Sequence, residues 1–287
     1  MTYDTPQALR IALEYRLLAR SKETGVGLDR LRRRVLFERI VARLEAADPG
    51  RWVLKGGMAL EVRLRDDARL TKDIDLGLRD DVVSATELHE RLIDALTADP
   101  DRDDFVLAVA PPVALGEDGG DRVTWRVKVA SQLAGRTFGN IRLDVSPAGR
   151  ELDATDHLAL SNSLDFAGIP APVVEIVDVH RHAAEKFHAM LRDYGDRDNS
   201  RVRDLVDLVI MVEHDLLAPA TVAARTIEVW TERDGADPPA ALPLLPESWP
   251  IRYERIAADH DLETRTFPAA VALVGRLWAD MFPTEET

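Results

Sequence analysis

The sequence predicts an α/β fold, a small mixed sheet with a helical N-terminal segment in front of it and a helical C-terminal half behind it. Three observations lead there. Residues 71–78 alternate polar and apolar with the period of a strand. A glycine pair, Gly56-Gly57, stands between the short apolar run Trp52-Val53-Leu54 and a helical stretch, Met58 to Leu64. Beyond residue 172, apolar residues recur at helical spacing in segment after segment.

Taken in order, residues 6–20 and 28–47 read as two helices, the second with Leu31, Val35, Leu36, Ile40, Val41 and Leu44 on one stripe, stopped by Asp48-Pro49-Gly50. A helix over 84–98 begins at the N-cap candidate Ser84, with Glu87 completing a capping box. Strands are predicted at 105–109, 123–129 and 140–146. The second sets Val123, Trp125, Val127 and Val129 against Thr124, Arg126 and Lys128, which gives one buried and one basic face. In the third, Arg142, Asp144 and Ser146 share the polar face. Gly168 to Pro172 breaks the chain and sets an expected division into 1–170 and 171–287. After a short strand at 173–177, Asp178 caps a helix closed by Gly195, and a mobile loop from Tyr194 to Ser200 is expected. Helical segments follow over 201–215, 218–232, 251–260 and 267–281, with a proline-rich connector at 234–250.

Composition narrows the chemistry. There is no cysteine, so disulfides and thiolate sites are excluded. No stretch approaches the length of an apolar membrane span, and the N-terminus lacks the apolar core of a signal peptide, so a soluble cytoplasmic protein without a membrane partner is expected. A net charge of −14 opposes diffuse nucleic-acid binding but leaves room for a local basic groove. Candidate basic clusters are Arg30 with Arg32, Arg33 and Arg34; Arg63 with Arg65, Arg69 and Lys72; and Arg197 with Arg201 and Arg203. Taken singly, each reads as a solvated helix face, but the second and third flank the proposed chemistry.

The chemistry concentrates in VLKGGMALEVRLRDDARLTKDIDLGL, residues 53–78. The alternation puts Asp73 and Asp75 on one strand face, about 7 Å apart, and Ile74, Leu76 and Leu78 on the other. Two like charges side by side cost several kcal/mol unless something neutralises them, and a divalent cation such as Mg²⁺ does so with hard oxygen ligands. The competing reading is the exposed face of an edge strand. Gly56-Gly57 opens a helix, whose free N–H groups and dipole form a seat for phosphate. His180, His182 and His188 lack the spacing of a zinc site.

KGGMAL followed by RLTKDIDL resembles the first motif of the DNA polymerase β-type nucleotidyltransferases, and within them the AbiEii/MenT family of toxins. AEKFHAM, with Lys186, is similar to that family's third motif, and RVRDLVDL, with Asp204 and Asp207, to its fourth. Asp144 corresponds to the second. The resemblance spans roughly residues 50 to 215, and it is the order of the four motifs that is specific. It implies a nucleotidyltransferase domain over 1–170 and a helical domain over 171–287 that completes the active site. It implies Asp73, Asp75, Lys186 and Asp204 as catalytic residues, with Mg²⁺ on Asp73 and Asp75. Lys55, Gly56, Gly57, Arg69, Thr71 and Asp144 are implied to meet the substrate. Thr71 stands where serine is common in the family. Asp207 is expected to brace Arg203 or a neighbouring helix. The implied activity moves a nucleoside monophosphate from NTP to the 3′ end of tRNA, as the toxin of a pair with a cognate antitoxin. A transferase acting on a protein or a small hydroxylated molecule, and a non-catalytic module of the same fold, are the alternatives.

Overall fold

Alternating segments become sheet where one side of each strand can be covered by apolar helices. The computed structural model describes residues 3–65, 68–69, 71, 73–80, 84–115, 123–147, 149, 152–195 and 198–283. Among these, eight strands form one mixed sheet: β1 (Trp52–Lys55), β2 (Asp73–Leu78), β3 (Phe105–Val109), β4 (Val113–Leu115), β5 (Thr124–Leu133), β6 (Arg136–Pro147), β7 (Thr155–Ala159) and β8 (Val173–Val177). Their order is β3-β5-β6-β2-β1-β8-β7, with β4 added to β5. β2 runs parallel to β6 and β1 parallel to β8, and the other neighbours are antiparallel. The sheet is mixed, as expected, and larger by two strands. β4 is three residues long and β7 reads TDHLA, so neither offers an alternation to detect.

The same unit contains helices α1 (Pro6–Thr24), α2 (Leu28–Ala47), α3 (Gly56–Leu64) and α4 (Ala85–Thr97). Ser84 caps α4 by accepting a hydrogen bond from Glu87 N at 3.2 Å. Leu36, Ile40 and Leu44 of α2 and Leu88 and Leu92 of α4 join one apolar cluster with Ile74 and Leu76 of β2, Val127 and Val129 of β5, and Leu143 and Val145 of β6. Each such side chain contributes roughly 1.5–3 kcal/mol by leaving water. The opposite sheet face is left for polar groups, and this is what positions the site.

α2 also carries buried charge that its apolar stripe did not announce. Arg43 clamps Asp103 through two 2.7 Å bonds and donates to Phe105 O at 3.0 Å, tying α2 to the start of β3. Glu38 accepts from Ser161 Oγ at 3.0 Å, Ser163 N at 3.1 Å and Ser163 Oγ at 2.8 Å. Burial raises its pKa from 4.5 to about 7 despite those donors. The folded state therefore holds a proton that the unfolded state has released between these two values. Stability should fall as pH rises from 4.5 to about 7, by about 3 kcal/mol in total. Glu38→Gln should flatten that part of a pH series of denaturant midpoints; an unchanged slope would assign the loss to another group.

A second compact unit starts at Asp178 and also takes in Arg69. It holds α5 (Val179–Leu191), α6 (Val202–Glu213), α7 (Pro219–Asp234), α8 (Trp249–Asp259) and α9 (Phe267–Met281). Phe187, Leu205, Val209, Trp249, Tyr253 and Trp278 are buried in it. Asp178 caps α5 by accepting from Arg181 N at 2.8 Å. The helix ends at Leu191, short of the expected stop at Gly195, because Arg192 turns to extended backbone. Of the loop expected to be mobile, residues 196 and 197 lie outside the described residues. Asn199 is anchored: its Nδ2 donates to Met190 O at 2.9 Å and its carbonyl accepts from Trp249 Nε1 at 2.7 Å.

Candidate active site

Strand register assembles the polar cluster from four separate segments. Antiparallel pairing sets Lys55 opposite Asp75, parallel pairing sets Asp75 opposite Asp144 and Asp73 opposite Arg142, and antiparallel pairing sets Asp144 opposite Arg126. Directly opposed residues share a sheet face. One row therefore reads Lys55, Asp75, Asp144, Arg126, with Asp73 and Arg142 in the adjoining row.

Gly56 lets β1 turn into α3 against this row. Its φ is +61°, in the left-handed region, and a Cβ there would lie 1.8 Å from Asp75 Oδ2 and 2.7 Å from Asp75 Cγ. The Asp75 carboxylate thus occupies the space that any other residue at 56 would fill. Helix α3 begins at Gly56 itself, two residues before the expected start, and its N-cap Lys55 makes no side-chain cap bond. The first-turn N–H groups of such an end are orphan donors with the positive end of the helix dipole behind them. Lys55 instead donates from Nζ to Ser146 Oγ at 2.8 Å. Thr71 Oγ1 donates to the Asp73 carbonyl at 3.3 Å.

Two arginines hold the carboxylates. Arg142 Nε donates to Asp73 Oδ1 at 2.5 Å, and Arg126 grips Asp144 with Nε at 2.8 Å and Nη2 at 2.6 Å. Arg126 Nη2 also lies 3.9 Å from Asp73 Oδ2. The hydrogen bond to Asp144, reinforced by Asp73 and Asp75, lifts Arg126 well above its ordinary pKa. The sequence placed Arg126 and Arg142 on polar strand faces but could not show that they meet Asp144 and Asp73, since pairing register is invisible in a single strand's alternation.

In the helical unit, Lys186 is buried instead of reaching for water from the border of the apolar stripe of α5. Its Nζ donates to Asp204 Oδ1 at 3.0 Å and to Asp207 Oδ2 at 2.6 Å. Burial alone would depress the lysine pKa, but Asp207 and Asp204 outweigh it and the net shift is upward. Asp207 is itself fully buried. Desolvation opposes its ionisation, yet Lys186 and Arg69 hold its pKa down at about 2. Arg69 supplies two bonds, Nε to Oδ1 at 2.6 Å and Nη2 to Oδ2 at 2.9 Å. Asp207 therefore braces Lys186 on the neighbouring helix together with Arg69, and not Arg203, which is exposed.

The first basic cluster is more structural than its solvated reading allowed. Arg30 and Arg34 both donate to Glu61 Oε1, at 3.1 and 2.9 Å, and so fasten α2 to α3, while Arg32 reaches Glu14 on α1 at 2.8 Å. Arg63 donates to Asp156 at 2.7 Å and to Val177 O at 2.6 Å. Lys72 and Arg197 lie outside the described residues.

Among the described residues, no group of three or more His, Asp or Glu side chains is arranged to hold a metal ion. The donor set on β2 nevertheless suits a magnesium-type ion. That ion takes one or two carboxylates and completes its shell with water and substrate phosphates, and here two carboxylates lie on one strand face, one of them seated against a glycine turn. Also among the described residues, no helix is long and apolar enough to cross a membrane.

A family model described as nucleotidyl transferase AbiEii toxin, Type IV TA system, matches residues 39–273. No curated protein matches. Among solved structures, the chain is similar to JHP933 from Helicobacter pylori at 17% identity and a TM-score of 0.44, over 86% of this chain and 89% of that one. It is also similar to a candidate nucleotidyltransferase from H. pylori at 15% identity and a TM-score of 0.46, over 90% of this chain and 96% of that one.

Proposed function

Since the chain belongs to the AbiEii family of nucleotidyltransferase toxins of toxin–antitoxin systems, we propose that it moves a nucleoside monophosphate from Mg²⁺-bound NTP to the 3′ end of a tRNA and so blocks translation. Membership makes NTP the substrate and a cognate antitoxin the partner. The observation that supports the finer reading is the pair Asp73 and Asp75 on one strand face, with the Asp75 carboxylate packed against Gly56 at the mouth of α3.

Asp73 and Asp75 would hold the ion, and a bound divalent cation there neutralises charge on the attacking and leaving oxygens. Lys55 and the Gly56-Gly57 turn would take the phosphates, through an ammonium and the orphan N–H groups of α3. Lys186 has three donors, of which Asp204 and Asp207 take two; we assign it to the triphosphate and Asp204 to setting its orientation. Asp207 and Arg69 hold Lys186 in place, and Thr71 fixes the backbone at Asp73. Asp144, held by Arg126, would face the incoming hydroxyl. No covalent intermediate on the protein is required, and positioning with electrostatic stabilisation accounts for the rate.

The net charge of −14 favours a second reading, in which the acceptor is a protein or a small hydroxylated molecule. The test is to incubate the protein with Mg²⁺, each of the four labelled NTPs in turn, and either total tRNA or cell protein. Label on tRNA 3′ ends with one preferred base is expected. Label in protein bands with none on tRNA would replace the acceptor, and no label on any acceptor would overturn the transferase assignment.

A further inference from the structure

Three acids, Asp73, Asp75 and Asp144, share one sheet surface with four bases, Lys55, Arg126, Lys128 and Arg142. Each acid is therefore matched by positive charge before any ligand arrives. This has a consequence for the order of binding. A divalent ion reaching Asp73 alone competes with Arg142, whose Nε sits 2.5 Å from Oδ1, and meets the positive charge of Arg126 Nη2 at 3.9 Å from Oδ2. A triphosphate arriving alone meets three carboxylates. An ion and a triphosphate arriving together cancel much of each other's charge, and a guanidinium released from Asp73 acquires a phosphate to pair with. Arg142 is able to make that exchange: its side chain is 42% exposed, against 31% for Asp73, so neither is locked in the core.

Resting on the metal reading of Asp73 and Asp75 above, we infer that Arg142 is a substrate-binding residue that guards Asp73 in the empty enzyme and transfers to the triphosphate when metal and nucleotide enter, coupling the two. Arg126 remains bidentate on Asp144 and keeps that carboxylate out of the exchange. Exposed ion pairs are weak, so the guard is readily displaced by the combined ligand while still biasing the empty site against the bare ion.

The experiment uses the full chain and Mn²⁺ as the probe, with free ion counted by electron paramagnetic resonance, and an NTP analogue that cannot be transferred because its α,β-bridge is imido. Arg142→Gln should bind Mn²⁺ alone about threefold to tenfold more tightly than wild type, because an opposing charge is gone. It should bind the Mn²⁺·analogue complex more weakly by a similar factor. Arg142→Lys keeps the charge and should keep most of the coupling, which separates the effect from any loss of fold. A residue that merely stabilised β6 would move both affinities in the same direction. Unchanged or weaker Mn²⁺ binding in Arg142→Gln, or unchanged analogue binding, overturns the inference. If wild type binds no Mn²⁺·analogue at all, the metal reading fails; if wild type binds it, Asp73→Asn does not, and Arg142→Gln matches wild type, only the role of Arg142 fails.

Discussion

Gly56→Ala should reduce nucleotidyl transfer by two orders of magnitude or more while leaving the protein folded. Two costs coincide at this position. An L-residue at φ +61° in the left-handed region costs about 1–2 kcal/mol. The new methyl would also lie 1.8 Å from Asp75 Oδ2, so either the carboxylate or the β1–α3 turn must give way. Asp75 sits on a paired strand and the turn is joined to it through the Lys55–Asp75 register, so neither moves without disturbing the other. A displacement of about 1 Å in a reacting constellation can cost on the order of a hundredfold in rate. Measured together, transfer rate and thermal midpoint should separate: a large loss of rate, with a melting temperature lower by only a few degrees. Near-normal transfer would mean that the Asp75 carboxylate is not needed where the structure puts it.

Asp207→Ala should have the largest effect on stability. It removes a fully buried carboxylate that accepts from both Arg69 and Lys186, and it leaves Lys186 buried with Asp204 as its remaining carboxylate. Breaking a buried pair in this way typically costs about 3–5 kcal/mol, which corresponds to a fall in melting temperature of about 10 °C. The pH dependence follows from the direction of the shift. The folded-state pKa of Asp207 is held at about 2 against an ordinary 3.8, so its contribution is complete above 3.8 and disappears as pH falls toward 2. Wild type should lose stability across that acid window, and Asp207→Ala should lose less. A variant that melts like wild type would show that the pair is well solvated.

Much of this architecture could be read from residue order alone. The alternation at 71–78 gave the strand, the faces of its two aspartates and the apolar side that packs on α2 and α4, and the stripes of α5 and α6 gave their buried faces. The family resemblance, carried by motifs in order, pointed to chemistry that the family match supports. What escaped has a common cause. Register across strands decides that Asp73 meets Arg142 and Asp144 meets Arg126, and nothing within β2, β5 or β6 separately encodes which residue lies opposite which. The same holds for Asp207, whose spacing from Asp204 suits an exposed helix start equally well; only packing shows that it lies inside, between Arg69 and Lys186. β7 was missed because its polar side chains break the alternation of a buried strand, and the buried Glu38, Arg39 and Arg43 were hidden in the charged half of an ordinary amphipathic helix.

On the proposed function, Asp73 and Asp75 are the ion-dependent nucleotide site. Calorimetric titration of an untransferable NTP with Mg²⁺ into wild type and into the double variant Asp73→Asn/Asp75→Asn tests it most directly. Mg²⁺-dependent binding by wild type is expected, with its loss in a variant whose thermal unfolding still shows a folded protein. Equal binding by both proteins, or binding by wild type that does not depend on the ion, would contradict it.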